Sequence, residues 1–210
     1  MKKIFLLLMM ILTVSGCGVS EEKSSAEPAK VAKVQTSDKK ILVVYFSRTG
    51  EEYNVGKITK GNTAIVAEYI AQKTVADMFE IKPATPYPDE YEACTELAKR
   101  ELESNERPAL AKNIENLAQY DTIFLGYPIW WGALPRVMMT FLETNDLSGK
   151  TIIPFCTHGG SGLAGTEREI ADVCPNAKIL SGLAVVGKDA QNDFPAVQKK
   201  VDAWLKSLGY

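Results

Sequence analysis

A single histidine, His158, stands among the 210 residues, and the four cysteines form no CxxC pair. The first shortage leaves the serine of the loop that carries His158 without an independent triad base, so serine-hydrolase chemistry is not expected. The second removes a thiolate zinc site and a thiol-disulfide motif, so no metal is expected. Charge of either sign is not in excess: 24 Lys and Arg face 26 Asp and Glu, a net charge of −2. That balance offers no basic face for a nucleic acid, and no nucleic-acid partner is expected. Long hydrophobic runs are missing too. The longest, Ile4 to Leu12, has nine residues, where a membrane-spanning helix needs about 20.

What is present at the start is a processing signal. Lys2 and Lys3 precede the apolar run, and Val14-Ser15-Gly16-Cys17 follows it. Basic, apolar and small-residue elements in that order read as a signal peptide over 1–16. A cysteine straight after the small residues resembles a bacterial lipoprotein cleavage box, with Cys17 acylated as the new N-terminus. Two or three acyl chains hold a protein on a membrane where one is marginal, so an extracytoplasmic, lipid-anchored position on a bacterial cell membrane is expected. Residues 17–39 are rich in Ser, Ala, Glu, Lys and Pro without hydrophobic period, which reads as a flexible tether. Once Cys17 is set aside, Cys94, Cys156 and Cys174 form an odd set that gives no disulfide framework.

From Lys40 onward strands and helices alternate. Ile41 to Phe46 is apolar enough for burial on both faces, as parallel strands require. Asn62 suits an N-cap, with Ile65, Val66, Tyr69 and Ile70 as an apolar stripe. Asp77 to Lys82 alternates as a half-buried edge strand. Asp89 to Glu106 reads as an amphipathic helix with Tyr91, Cys94, Leu97 and Leu102 inside. Strands follow at Tyr120 to Tyr127, Thr151 to Thr157 and Ile179 to Val186, with helices at Arg136 to Glu143, through Arg168 and Ile170, and at Pro195 to Leu208. Five strands alternating with helices predict one α/β domain over 40–210, a doubly wound parallel sheet. Ligands in such sheets sit beyond the carboxyl ends of the strands.

Three loops at those ends carry unusual sequence. After the first strand come Ser47-Arg48-Thr49-Gly50 and, beyond a polar excursion, Gly61-Asn62-Thr63. Hydroxyls, glycines and a helix start are suited to a terminal phosphate monoester. No lysine precedes the Ser/Thr, so the triphosphate loop pattern fails. The second loop is Pro128-Ile129-Trp130-Trp131-Gly132. Two adjacent indoles on a solvent-facing loop are costly unless they cover something flat and apolar; one is expected to fold partly back into the core. The third is Thr157-His158-Gly159-Gly160-Ser161-Gly162. Its GxGxxG match from Gly160 to Gly165 follows the fourth strand rather than the first, so a dinucleotide reading is weak. GxSxG fails because Leu163 stands at the last glycine position.

These loops together resemble the flavodoxin-like family over essentially all of 40–210, in a branch that carries SRTG, an extended segment before GNT, and PIWWG. The resemblance implies sheet order 2-1-3-4-5 and FMN as cofactor. It implies phosphate contacts from Ser47, Thr49, Gly50, Asn62 and Thr63, with Arg48 at the rim. Pro128, Ile129, Trp130, Trp131 and Gly132 would line one side of the flavin ring, and Thr157, His158, Gly159, Gly160, Ser161 and Gly162 the other. Small electron carriers of the family run directly from the turn into Gly-Asn-Thr; here Glu51 to Lys60 intervene, either folding aside or covering the phosphate or ribityl chain through Tyr53. The function expected is electron transfer by an FMN-binding lipoprotein, to a redox protein or a small acceptor such as a quinone. The alternatives are an FMN-dependent NAD(P)H:quinone-type oxidoreductase, and a non-redox binding lipoprotein that keeps only the fold. No residue is assigned a catalytic role.

Overall fold

The computed structural model describes residues 40–210; the expected signal peptide, the lipidated Cys17 and the tether lie outside the described residues. The chain runs β1 (Ile41–Phe46), β2 (Gly50–Glu52), β3 (Gly56–Ile58), α1 (Asn62–Thr74), β4 (Asp77–Ile81), α2 (Tyr91–Glu103), β5 (Thr122–Pro128), α3 (Arg136–Thr144), β6 (Thr151–His158), α4 (Thr166–Val173), β7 (Lys178–Ile179), β8 (Leu183–Val186), α5 (Gly187–Asn192) and α6 (Phe194–Leu208). The main sheet has the order β4-β1-β5-β6, and both β7 and β8 pair with β6. All of its pairings are parallel. With β7 and β8 counted as one interrupted strand, this is the expected 2-1-3-4-5 order of a doubly wound sheet.

The interruption has a covalent cause. Pro154 sits inside β6 and has no N–H to offer the ladder. Opposite it, three residues (Leu180 to Gly182) face two (Ile153 and Pro154) between the pairs Ile152–Ile179 and Phe155–Leu183. The extra residue makes a bulge at the sheet edge. Within the bulge the Gly182 N–H donates to Glu167 Oε1 at 2.6 Å. The strand expected as continuous over 179–186 is therefore two short pieces.

Alternation along β1 divides the core. Leu42, Val44 and Phe46 face a cluster with Val137, Met138 and Phe141 of α3 and Ile170 of α4. Val43 and Tyr45 face Val66 and Ile70 of α1 with Val197, Val201 and Leu205 of α6. Helices on both faces explain why β1 and β5 are apolar throughout.

Two local expectations are corrected. Gly61, not Asn62, is the N-cap of α1, and no side chain of the cap residue bonds there. The Ser47 hydroxyl instead accepts from Ala64 N at 3.1 Å, so the turn after β1 closes the amino end of the helix. In α2 Cys94 is buried and Leu97 packs against the core as expected, but the other buried positions are Ala98 and Glu101, while Tyr91 is 37% exposed. Glu101 is drawn inward because the Tyr87 hydroxyl donates to its Oε2 at 2.7 Å.

That carboxyl makes a prediction. Burial pushes Glu101 up from its ordinary range, against the Tyr87 hydrogen bond, so the fold holds its proton more tightly than the unfolded chain does. Its charge costs stability once pH rises through the folded value and costs nothing below the unfolded one. Glu101→Gln keeps an acceptor for Tyr87 and is expected to stabilise the protein by about 1 kcal/mol at neutral pH. Little change is expected at acid pH, as urea unfolding at both pH values would show.

Candidate functional site

The carboxyl ends of β1, β5, β6 and β8 open on a cavity of about 600 Å³. Its lining combines Arg48, Glu52, Tyr53, Asn54 and Asn62 with Tyr91, Cys94, Thr95 and Ala98 of α2. Pro128 to Trp131, Thr157 to Gly159 and Val186 to Asp189 complete it. A volume of this size suits a medium-sized organic ligand.

The turn after β1 is tightly built. A Cβ at Gly61 would lie 2.1 Å from Ser47 Oγ and 2.4 Å from Arg48 O. Gly50 has φ +97, and a Cβ there would lie 2.6 Å from Asp89 O. Asn62 lines the cavity, its Oδ1 accepting from Gln191 Nε2 at 2.9 Å. Ser47 accepts the Ala64 N–H and keeps its own hydroxyl proton for another partner. Thr63 is buried, and its hydroxyl meets that of Thr157 at 2.8 Å. This bond ties the first loop to the third. Thr49 is exposed, and neither it, Ser47, Gly50 nor Thr63 lines the cavity.

Arg48 is not a free rim cation. Its Nη1 donates to Pro88 O at 2.8 Å and Asp89 O at 3.1 Å. Its Nη2 donates to Glu51 O and pairs with Glu52 Oε1 at 3.1 Å. Four of the five guanidinium N–H groups therefore clamp the start of the 51–60 segment to the loop before α2. Nε is buried without a partner. Burial pushes the Glu52 carboxyl up, against the pull of Arg48.

The segment itself is a hairpin. β2 and β3 pair antiparallel, Gly50 with Ile58 and Glu52 with Gly56, and Glu51 N donates to Asp89 O at 2.8 Å. Tyr53 at its tip reaches the third loop, where a Cβ on Gly159 would lie 2.9 Å from the tyrosine ring. The insertion does not fold aside. It adds a wall.

In the second loop Trp130 is the indole that folds back. It meets Phe46 edge-on at 5.4 Å and Tyr87 at 4.8 Å between ring centres. Trp131 remains 55% exposed, and its Nε1 donates to Thr95 O at 2.9 Å. Trp131 and Gly132 both have positive φ, +51 and +75, inside a turn closed by Trp130 and Ala133. Gly132 is not part of the lining.

In the third loop the His158 Nδ1 accepts from Gly160 N at 2.9 Å and Gly162 N at 3.2 Å. Two backbone donors on one ring nitrogen fix the proton of the neutral ring on Nε2. Burial, helped by Lys200, lowers the His158 pKa from its ordinary value, with Asp189 opposing. Protonation is therefore disfavoured by folding, and any stability this group contributes is present above the unfolded pKa and lost as pH falls below it. As the one histidine of the chain, it should give one pair of ring-nitrogen signals in nitrogen-detected NMR, with the Nε2–H pattern at neutral pH and a midpoint below the ordinary histidine value. Gly160, Ser161 and Gly162 shape this turn without lining the cavity. Cys94 lines it, but burial pushes its thiol up to about 11, which leaves a poor nucleophile.

Two groups of lining residues were not anticipated. Val186 to Asp189 sit where β8 passes into α5, a short helix that begins on Gly187. The topology rule held the signal, since a fifth strand must bring a fourth loop to the same edge. Tyr91 to Ala98 carry none, because the hairpin and the Arg48 clamp bring α2 to the site.

This is a doubly wound α/β protein with a ligand cleft at the carboxyl edge of its sheet. A family model described as flavodoxin matches residues 40–204, and the chain belongs to that family. A crystal structure from Bacteroides uniformis ATCC 8492, of a protein assigned to the flavoproteins, shares 33% identity over 80% of this chain and 98% of its own, with a TM-score of 0.65. A similar protein from Bacteroides eggerthii DSM 20697 shares 30% over 82% of this chain and 99% of its own, with a TM-score of 0.63. A flavoprotein of Lactobacillus acidophilus NCFM, crystallised in complex with FMN, is 19% identical over 74% of this chain and 97% of its own (TM-score 0.58) and shares the fold. No curated protein matches the chain.

Proposed function

We propose that the protein binds FMN in this cleft and takes part in electron transfer. The observation that carries the reading is one cleft bounded by the turn after β1, the Pro128–Trp131 loop and the Thr157–Gly159 loop. The donor set suits a flavin monophosphate. Ser47 keeps a free hydroxyl proton, Asn62 lines the cavity at the first turn of α1, and the positive end of that helix favours an anion. Gly61 lets the backbone of this turn close without a side chain. The flavodoxin family and the FMN complex of a fold relative support the choice of cofactor.

FMN would supply the redox chemistry; the protein binds and tunes it. A phosphate would be held at the start of α1, where Asn62 lines the cavity and the Ser47 hydroxyl proton on the same turn is free. Trp130 and Trp131 from the second loop and Thr157 to Gly159 from the third would hold the flat ring and exclude water from it. His158, neutral with Nε2–H, offers a donor and no charge. Attachment through Cys17 would place this cleft at the outer face of a bacterial membrane, where a redox protein or small acceptor takes the electrons.

A second reading is an FMN-dependent reductase, which the hairpin and α2 favour because they add a further wall to the cleft. The two separate on one test. The FMN-loaded protein is mixed with NADH or NADPH and a soluble quinone while NAD(P)H absorbance is followed. Sustained oxidation dependent on bound FMN supports the reductase. No oxidation, with fast oxidation of the pre-reduced protein by a one-electron acceptor, supports the carrier. A protein reduced and reoxidised by neither route contradicts both.

A further inference from the structure

The short helix α5 grips the first residue of α1. Gln191 Nε2 donates to Lys60 O at 2.8 Å and to Asn62 Oδ1 at 2.9 Å. A backbone carbonyl only accepts, so the Lys60 contact fixes which end of the Gln191 amide donates, and that donor in turn fixes the Asn62 oxygen. The Asn62 NH2 group is left without a hydrogen bond among the described residues. It lies against Gly187, where a Cβ would stand 2.9 Å from Asn62 Nδ2, so a side chain at 187 would crowd the amide. Asn62 and Gly187 both line the cavity. Charge at the same place comes from Lys188. The lining holds two permanent cations, Arg48 and Lys188. Arg48 is paired with Glu52, and Lys60, just before the turn, is paired with Glu68. Lys188 is exposed and enters no ion pair among the described residues. The lining carboxylates are Glu52, held by Arg48, and Asp189, whose charge acts on His158.

We infer that α5 is a specificity element for a phosphate monoester: Lys188 supplies the countercharge, Gln191 positions the Asn62 amide as a donor, and Gly187 makes room for it. The inference rests on the FMN reading above and assigns its selectivity, so that α5 separates FMN from the same flavin without its phosphate. The turn after β1 is not enough for this, because Ser47, Thr49, Gly50 and Thr63 lie outside the cavity lining. A phosphate monoester carries about −1.5 to −2 charge at neutral pH, and hydrogen bonds to a charged partner are roughly twice as strong as neutral ones. The flexible four-carbon stem of a lysine suits an ammonium that must meet such a group.

The test titrates FMN and riboflavin, which differ only in the phosphate, into the full-length protein stripped of flavin, with binding read by flavin fluorescence. The wild type is expected to bind FMN at least about a hundredfold more tightly than riboflavin, as several bonds to one charged group imply. Lys188→Met should weaken FMN binding at least about tenfold, the loss of one charge-assisted bond, and leave riboflavin within about twofold. Lys188→Arg keeps the charge and should hold FMN within about threefold of the wild type. Gln191→Leu should weaken FMN about threefold or more, the loss of one neutral bond, because the Asn62 amide is then free to turn its oxygen to the phosphate; riboflavin should again be unmoved. A Lys188→Met variant with unchanged FMN affinity, or one that loses both flavins alike, overturns the assignment and leaves the cofactor reading standing. So does a wild type that takes riboflavin as tightly as FMN. Wild-type FMN affinity in Gln191→Leu overturns the positioning role of Gln191. Should the protein take neither flavin, calorimetry with phenyl phosphate separates the two claims: binding that Lys188→Met abolishes keeps the anion site and overturns the cofactor reading. Phenyl phosphate bound without regard to Lys188, or not at all, then overturns both.

Discussion

Replacing Gly61 with alanine is expected to weaken FMN binding at least about a hundredfold, a loss of roughly 2.7 kcal/mol. The methyl group would start 2.1 Å from Ser47 Oγ and 2.4 Å from Arg48 O. A serine hydroxyl can rotate away, but a backbone oxygen cannot. The turn after β1 and the start of α1 must therefore move apart, and the Ser47 bond to Ala64 N breaks with them. Because the phosphate donors proposed here are shared between those two pieces, the damage falls on the site rather than on the sheet. Adding Ser47→Ala should not rescue binding, since the clash with Arg48 O remains. Fluorescence titration with FMN, alongside far-ultraviolet circular dichroism to show that the fold persists, checks both statements.

Gly126→Ala should act on the fold instead. Gly126 lies in β5 between β1 and β6, paired with Phe155. A Cβ there would lie 2.2 Å, 2.5 Å and 2.8 Å from three carbons of the Phe155 ring, which is fully buried in the cluster under α1 and α6. Overpacking of this kind costs about 1–3 kcal/mol and sometimes more, and with a 0%-exposed ring as the obstacle the upper end is expected. Phe155→Leu alone should also destabilise, by leaving a cavity. The double variant is expected to be more stable than the sum of the two losses predicts, because the smaller side chain makes room for the new methyl. A double-mutant cycle measured by denaturant unfolding reads that coupling; strict additivity would show that the clash is relieved elsewhere.

The sheet was legible because β1 and β5 are apolar on both faces and end in hydroxyls, glycine or proline, signals that depend on nearest neighbours in the chain. The broken last strand was not, since its cause is Pro154 on a different strand. The inner face of α2 was legible only in part, in Cys94 and Leu97, for a related reason. Leu97 and Leu102 outrank a glutamate on any hydrophobic pattern, and Glu101 is drawn in by Tyr87, a partner outside the helix. In the site, the three loops that drew attention by composition do meet at one cleft, but individual roles depend on contacts across the fold. Thr63 turns to Thr157, and Arg48 spends four donors on the hairpin and the loop before α2. The 51–60 insertion was the least readable piece. Its two short strands carry no hydrophobic alternation, and what orders them is the clamp by Arg48 together with the backbone bond from Glu51 to Asp89.

The account stands on the cofactor, and the most direct measurement is the absorption spectrum of the purified full-length protein, followed by release and identification of whatever chromophore it carries. The expected result is a flavin spectrum with one FMN released per chain, recovered after FMN is stripped and added back. A colourless protein that cannot be reconstituted with FMN would contradict it.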